Sequence, residues 1–270
     1  MTSTSPAQAP SGPADEAPVF GQFDNVGKVF ALPGQADITA IERVSFGLKR
    51  GQLVSLLGPS GCGKTTFLRI VAGLERATTG QVTIDGRPVT GPHPNFAFVF
   101  QQPNLMSWRT VLKNVLFPLE IRGELNQAGI ARARELLDLV GLSGFENRYP
   151  SELSGGMQQR VALCRALVYD AKLLLMDEPF GALDELKRME MHDLLLAIRA
   201  RTGATVMFVT HSISEAIYLS DVVAVFSKRP STVAEFIEID LPYPRETAMR
   251  YTAQFTDYEH RAGRALGIAR

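Results

Sequence analysis

The chain is expected to adopt an α/β fold: a mostly parallel sheet covered by helices on both faces, with an antiparallel β edge and an inserted helical region. Three observations carry this expectation. An apolar run, Leu53 to Leu57, leads into Gly58-Pro59-Ser60-Gly61-Cys62-Gly63-Lys64-Thr65-Thr66, which has the glycine, four residues, Gly-Lys-Thr spacing of a phosphate cradle set between a strand and a helix. Three further apolar runs, Leu173 to Met176, Val206 to Val209 and Val222 to Phe226, alternate with helical stretches, as parallel strands buried on both faces do. Between Pro103 and Tyr169 the strand signals give way to helical spacing.

Taken in order, residues 1–18 are rich in Pro, Ala, Ser and Thr and read as a disordered tail. Short runs around Val26 to Phe30, Ile38 to Phe46 and Gln81 to Ile84, separated by Gly and Pro, read as the antiparallel edge. After the glycine-rich loop, Phe67, Ile70, Val71 and Leu74 share one helix face, with Gly73 near the end. Val111, Val115 and Leu119 mark a first inserted helix, and Ile130, Leu136, Leu137 and Val140 a second. Ser154 is a good N-cap for a third, running to about Tyr169. A last strand, Val233 to Ile239, is followed by Pro242, Pro244 and a mixed helix to Arg270. The expected domains are a tail at 1–18, a main domain at 19–228 with its helical part at about 103–169, and a C-terminal extension at 229–270 whose role the sequence does not reveal.

Composition narrows the function classes. With 270 residues, 45% hydrophobic and 21% charged, the chain can bury a sizeable core. Its 28 basic and 28 acidic residues balance, which gives no electrostatic footprint for nucleic acid. Cys62 and Cys164, one in the loop and one in a helix, make a poor disulfide framework and suit a reducing cytoplasm. The most apolar stretch, Val161 to Met176, is broken by Arg165, Asp170 and Lys172, so no membrane span is expected. The N-terminus lacks the basic start and apolar centre of a secretory signal.

The chemistry follows from three motifs. Glycines let backbone N–H groups converge on phosphate oxygens without Cβ interference, and the helix behind them adds a partial positive end. Lys64 would neutralise the outer phosphates of a nucleotide triphosphate and Thr65 would ligate Mg2+. A chance match to this spacing is expected about once in a hundred chains of this length, so a bare glycine turn is the weaker reading. In the second motif, Leu173 to Met176 ends in Asp177-Glu178-Pro179. Ligands gather at the carboxyl ends of parallel strands, so these carboxylates would face the nucleotide if their strand lies next to the one feeding the loop. Asp177 would then hold the metal, and Glu178 would position or deprotonate the attacking water. In the third, Leu153-Ser154-Gly155-Gly156-Met157-Gln158-Gln159-Arg160, bare amides at a capped helix start offer half of a second phosphate site.

That third string resembles the signature motif of ATP-binding cassette (ABC) ATPases. The family's other elements stand in its order: the loop, Gln101 in Phe98-Val99-Phe100-Gln101, the signature, the strand ending at Glu178, Ala182-Leu183-Asp184, and His211 after Val209-Thr210. The resemblance spans roughly Val26 to Lys228 and implies a P-loop NTPase core with an antiparallel β edge subdomain and an inserted helical subdomain. It implies that Gln101 contacts Mg2+ and the attacking water, that His211 touches the γ-phosphate, that Asp184 couples two sites, and that an aromatic near Phe30 stacks on adenine.

The same resemblance implies a head-to-tail homodimer, with ATP clamped between the loop of one copy and Ser154, Gly155 and Gly156 of the other. It implies an ATPase subunit, peripheral on the inner face of the cell membrane, whose permease subunits are separate chains. The surface around Met106 and Trp108 would either receive a helix of the permease or pack the helical core. Trp108 to Val115, with Glu178 to Asp184, looks most like the nitrate/sulfonate/taurine importer branch, served by an extracytoplasmic solute-binding protein. Two features depart from that pattern. Ser212 and Ser214 stand where acidic residues are common, and Lys228-Arg229-Pro230-Ser231-Thr232 lacks the glycine usual after proline. The rival classes are an ABC ATPase driving a non-transport membrane regulator, and one acting on nucleic acid.

Overall fold

The computed structural model describes residues 19–31, 33–34, 36–169, 171–181 and 183–268. The tail expected at 1–18, Ala182, and the helix end expected at Arg270 lie outside the described residues. In chain order the elements are β1 (Val19–Phe30), β2 (Ile38–Lys49), β3 (Leu53–Leu57), α1 (Lys64–Val71), β4 (Thr79–Ile84), β5 (Arg87–Pro88) and β6 (Phe96–Val99). The helical region follows with α2 (Val111–Ile121), α3 (Gln127–Leu139) and α4 (Gly155–Leu167). The chain then runs through β7 (Leu173–Asp177), α5 (Glu185–Thr202), β8 (Thr205–Thr210), α6 (Ile213–Leu219), β9 (Val222–Phe226), β10 (Ser231–Glu238) and α7 (Ala253–Ala265).

The strands form one ten-stranded sheet in the order β5-β4-β1-β2-β10-β9-β3-β8-β7-β6. One end is antiparallel, with β1 paired to both β2 and β4. From β9 to β6 every pair is parallel. Strand period divides the apolar runs between two cores: Leu174, Met176, Val206 and Phe208 face the helical region, α5 and α6, whereas Leu173, Leu175, Met207 and Val209 face α1 and the antiparallel edge. Burial on both faces is why these strands read as continuous apolar runs.

The helices start at the residues that can satisfy free N-terminal amides. Thr110, Asn126, Ser154, Asp184, Ser212 and Thr252 each accept from a backbone N–H of the first turn they cap.

Several expectations are corrected. Leu74 lies beyond the end of α1 and is half exposed, because Gly73 turns the chain at φ +71°. β1 begins at Val19 and β6 is a strand where sequence spacing signalled none. The strand expected at Val233 to Ile239 is β10, which pairs antiparallel with β9 and parallel with β2.

Candidate functional site

The glycine-rich loop runs from the end of β3 to the start of α1. Gly63, the residue before α1, sits at φ +116°, and a Cβ there would stand 3.0 Å from Ala40 O. Both facts require glycine at the point where the helix amides open to an anion. Lys64 is 4% exposed, and its ammonium donates to Gly58 O at 2.7 Å and Pro59 O at 3.0 Å. Cys62 does not line the cleft with the loop residues around it. Its side chain is 2% exposed and packs into the core beneath the loop, while its N–H donates to Pro59 O at 3.3 Å.

β7 does not neighbour β3, because β8 lies between them. The carboxylates nevertheless reach the loop. Thr65 Oγ1 donates to Asp177 Oδ1 at 2.7 Å, joining the start of α1 to the end of β7 across 112 residues. Burial pushes the Asp177 carboxyl above its ordinary value; the Thr65 hydrogen bond and the Arg69 charge pull the other way, Glu178 adds to the rise, and Lys64 lowers it. As pH rises, the unfolded chain therefore ionises first, and ionised Asp177 costs folding stability. Asp177→Asn keeps the acceptor and removes the charge. It is expected to raise the melting temperature of the nucleotide-free protein at pH 7, with the gain fading toward the ordinary aspartate range; calorimetry across pH checks this.

Glu178 occupies the left-handed region at φ +43°, a conformation sparsely used outside glycine. Its Oε2 lies 3.1 Å from His211 Nδ1, at the end of β8. Gln101 is exposed just after β6, and a Cβ built on Gly181 would stand 3.8 Å from Glu178 Oε2 and 3.9 Å from Gln101 Nε2, so the two side chains flank the same glycine.

A cleft of about 380 Å³ brings together Phe30, Ser60, Lys64 to Thr66, Glu178 and Arg229. Phe30 is 36% exposed, with Lys28 Nζ 4.8 Å from its ring centre. A larger, mainly apolar cavity of about 620 Å³ between α5 and Tyr243 to Arg245 shares none of these groups.

Ser154, Gly155, Gly156 and Asp184 do not line the cleft. Ser154 caps α4, and a Cβ on Gly155 would meet nothing within 4 Å. On Gly156 it would meet Lys187 Cδ at 3.5 Å. Asp184 caps α5, accepting from Lys187 N at 3.0 Å and Lys187 Nζ at 2.7 Å.

Comparison with known proteins follows from this geometry. The ABC transporter family model matches residues 41–181, and an uncharacterised ABC transporter ATP-binding protein of Methanocaldococcus jannaschii is 45% identical over 244 residues, 90% of each chain. The chain belongs to the ABC transporter family. An aliphatic sulfonates import ATP-binding protein of Bacillus cereus is 42% identical over 223 residues, covering 83% of this chain and 87% of the relative. Among solved structures, the ATP-binding cassette MJ0796, a dimer in a post-hydrolysis state bound to ADP and Pi, matches with a TM-score of 0.72 at 34% identity, over 82% of this chain and 100% of that one. The chain is thus an ATP-binding ABC ATPase with the cassette fold.

In this ABC ATPase one cleft residue carries no sequence signal. Arg229 Nη2 donates to Gly61 O at 2.7 Å, placing a cation from the segment after β9 against the loop. Only the pairing of β10 with β2 and β9 brings it there, and no local pattern announces that pairing. Among the described residues, no helix is long and apolar enough to cross a membrane.

Proposed function

We propose that this ABC ATPase is the ATP-hydrolysing subunit of an importer for small anions of the nitrate, sulfonate or taurine kind, acting as a head-to-tail homodimer. The observation that carries the catalytic reading is the convergence of Lys64, Thr65 with Asp177, and Glu178 with His211 around one cleft. In it, amides of Gly58 to Thr66 and the Lys64 ammonium receive the phosphates. Glu178 accepts a proton from the attacking water or orients it, Gln101 lies beside that water, and His211 meets the γ-phosphate. Phe30 offers a face for adenine at the cleft mouth.

The oxygen donors of Thr65 and Asp177 fit Mg2+, which prefers one or two carboxylates plus substrate phosphates to an all-protein cage. Among the described residues no group of three or more His, Cys, Asp or Glu could hold a metal, in keeping with that mode.

Dimerisation is supported by Gly155. Among the described residues nothing lies within 4 Å of a Cβ built there, so the demand for bare backbone comes from outside, where a second copy would present its phosphates to Ser154, Gly155 and Gly156. Asp184 then stands at the seam between the two sites. Gly155→Leu is expected to leave the melting temperature within a degree or two or raise it, yet to abolish ATP-dependent dimerisation in light scattering. A dimer that survives would refute the arrangement.

The helical part at about 103–169 is the side offered to the permease, peripheral on the inner membrane face. Trp108, 75% exposed, is free of the helical core and available to a partner. Likeness to the Bacillus cereus sulfonate import protein supports the anion class. Affinity purification from membranes tests the reading: a multi-span permease with a solute-binding protein supports import, and a two-span regulatory partner overturns it.

A further inference from the structure

The C-terminal segment reaches the strand end that carries His211 through a chain of polar side chains whose middle members, His192, Glu215 and Thr210, are buried. Arg250, in the 3-10 turn Thr247–Tyr251, lies with its Nη2 3.0 Å from His192 Nδ1 and donates through Nη1 to Ser214 Oγ at 2.9 Å. Arginine has no acceptor, so His192 Nδ1 must accept and the ring proton sits on Nε2. That Nε2–H donates to Glu215 Oε1 at 2.7 Å, and the Thr210 hydroxyl donates to Glu215 Oε2. His192 and Glu215 are 1% and 6% exposed, so each bond acts in a medium where an unmade partner is costly.

The network ends on both sides of His211. Thr210 Oγ1 also accepts from Ser212 N at 3.0 Å, and Ser212 Oγ accepts from Glu215 N at 3.3 Å. His211 itself is 56% exposed at its side chain and has a 3.1 Å contact to Glu178. Its ring is therefore aimed chiefly by the backbone that Glu215 holds. Two further contacts brace the chain: the Phe180 ring stands edge-on to His192 at 5.6 Å, and Arg250 stacks 3.9 Å above the Tyr218 ring. Ser214 is the hydroxyl that receives Arg250 on the α6 side.

We infer that Arg250, His192 and Glu215 are positioning residues for His211, so that the C-terminal segment sets the rate of ATP hydrolysis without touching the nucleotide. The inference rests on the role proposed above for His211. Steady-state turnover, ATP affinity and the imidazole NMR signal of His211 in the full-length protein test it. Glutamine can accept from Arg250 and donate to Glu215, whereas leucine fills the space and does neither. His192→Leu and Arg250→Ala are expected to lower kcat roughly 10- to 100-fold with ATP Kd unchanged, and to shift the His211 signal. His192→Gln is expected to keep the parent rate and signal.

Equal rates for the leucine and glutamine variants overturn the inference, and so does an unmoved His211 signal in Arg250→Ala. Should His192→Leu fail to fold, Arg250→Ala at the less buried end carries the same test. A parent-like kcat in His211→Ala overturns the role of His211 and the inference with it. Loss in His211→Ala beside parent-like turnover in Arg250→Ala overturns the network alone.

Discussion

Glu178→Gln is expected to cut ATP turnover by about 10²- to 10⁴-fold, the range a positioned general base supplies, while ATP still binds. The substitution is nearly isosteric and keeps an oxygen near His211 Nδ1, now 3.1 Å from Glu178 Oε2, so the cleft retains its shape. What disappears is the acceptor for the proton of the attacking water. Binding and hydrolysis should therefore separate, and a nucleotide-bound dimer should accumulate in size-exclusion chromatography with MgATP. Turnover within a few-fold of the parent would remove Glu178 from the proposed chemistry.

Lys64→Ala is expected to act one step earlier, on nucleotide affinity itself. Lys64 is 4% exposed and its ammonium donates to Gly58 O and Pro59 O, so it is held at the loop. A hydrogen bond to a charged group contributes about 1.5–3 kcal/mol, which corresponds to roughly 10- to 100-fold in Kd. Calorimetric titration with ATP measures the loss, and a parallel melt of the nucleotide-free variant shows whether the loop survives. An unaltered Kd would contradict the cradle.

The parts of this site that a sequence reveals are those whose chemistry is local. Gly58 to Thr66 signals itself because strand, glycines and helix start are contiguous, and Leu173 to Asp177 because a strand buried on both faces is apolar throughout. Ser154 is legible as a helix cap for the same reason, whereas the capping of α5 by Asp184 emerges only in the structure. Pairings between distant segments were not legible. The neighbour of β3 is β8 rather than β7, and the Thr65 to Asp177 bond is made over that intervening strand. Arg229 enters the cleft only through the placement of β10, and the Arg250 to Glu215 chain only through the return of the C-terminal turn over α5 and α6. Leu74 was misread because 3.6-residue periodicity cannot tell where a helix stops; Gly73 decides that.

β10 lies between β2 and β9, although every other strand of the described residues precedes it in the chain. Without residues 231–238, the antiparallel portion and the parallel portion would each present an open, unzipped border to solvent. The nucleotide cleft draws Phe30 from one portion and Lys64 from the other, and β10 is the strand that links the two. A chain cut before residue 231 would thus keep both walls of the cleft and lose the seam that joins them.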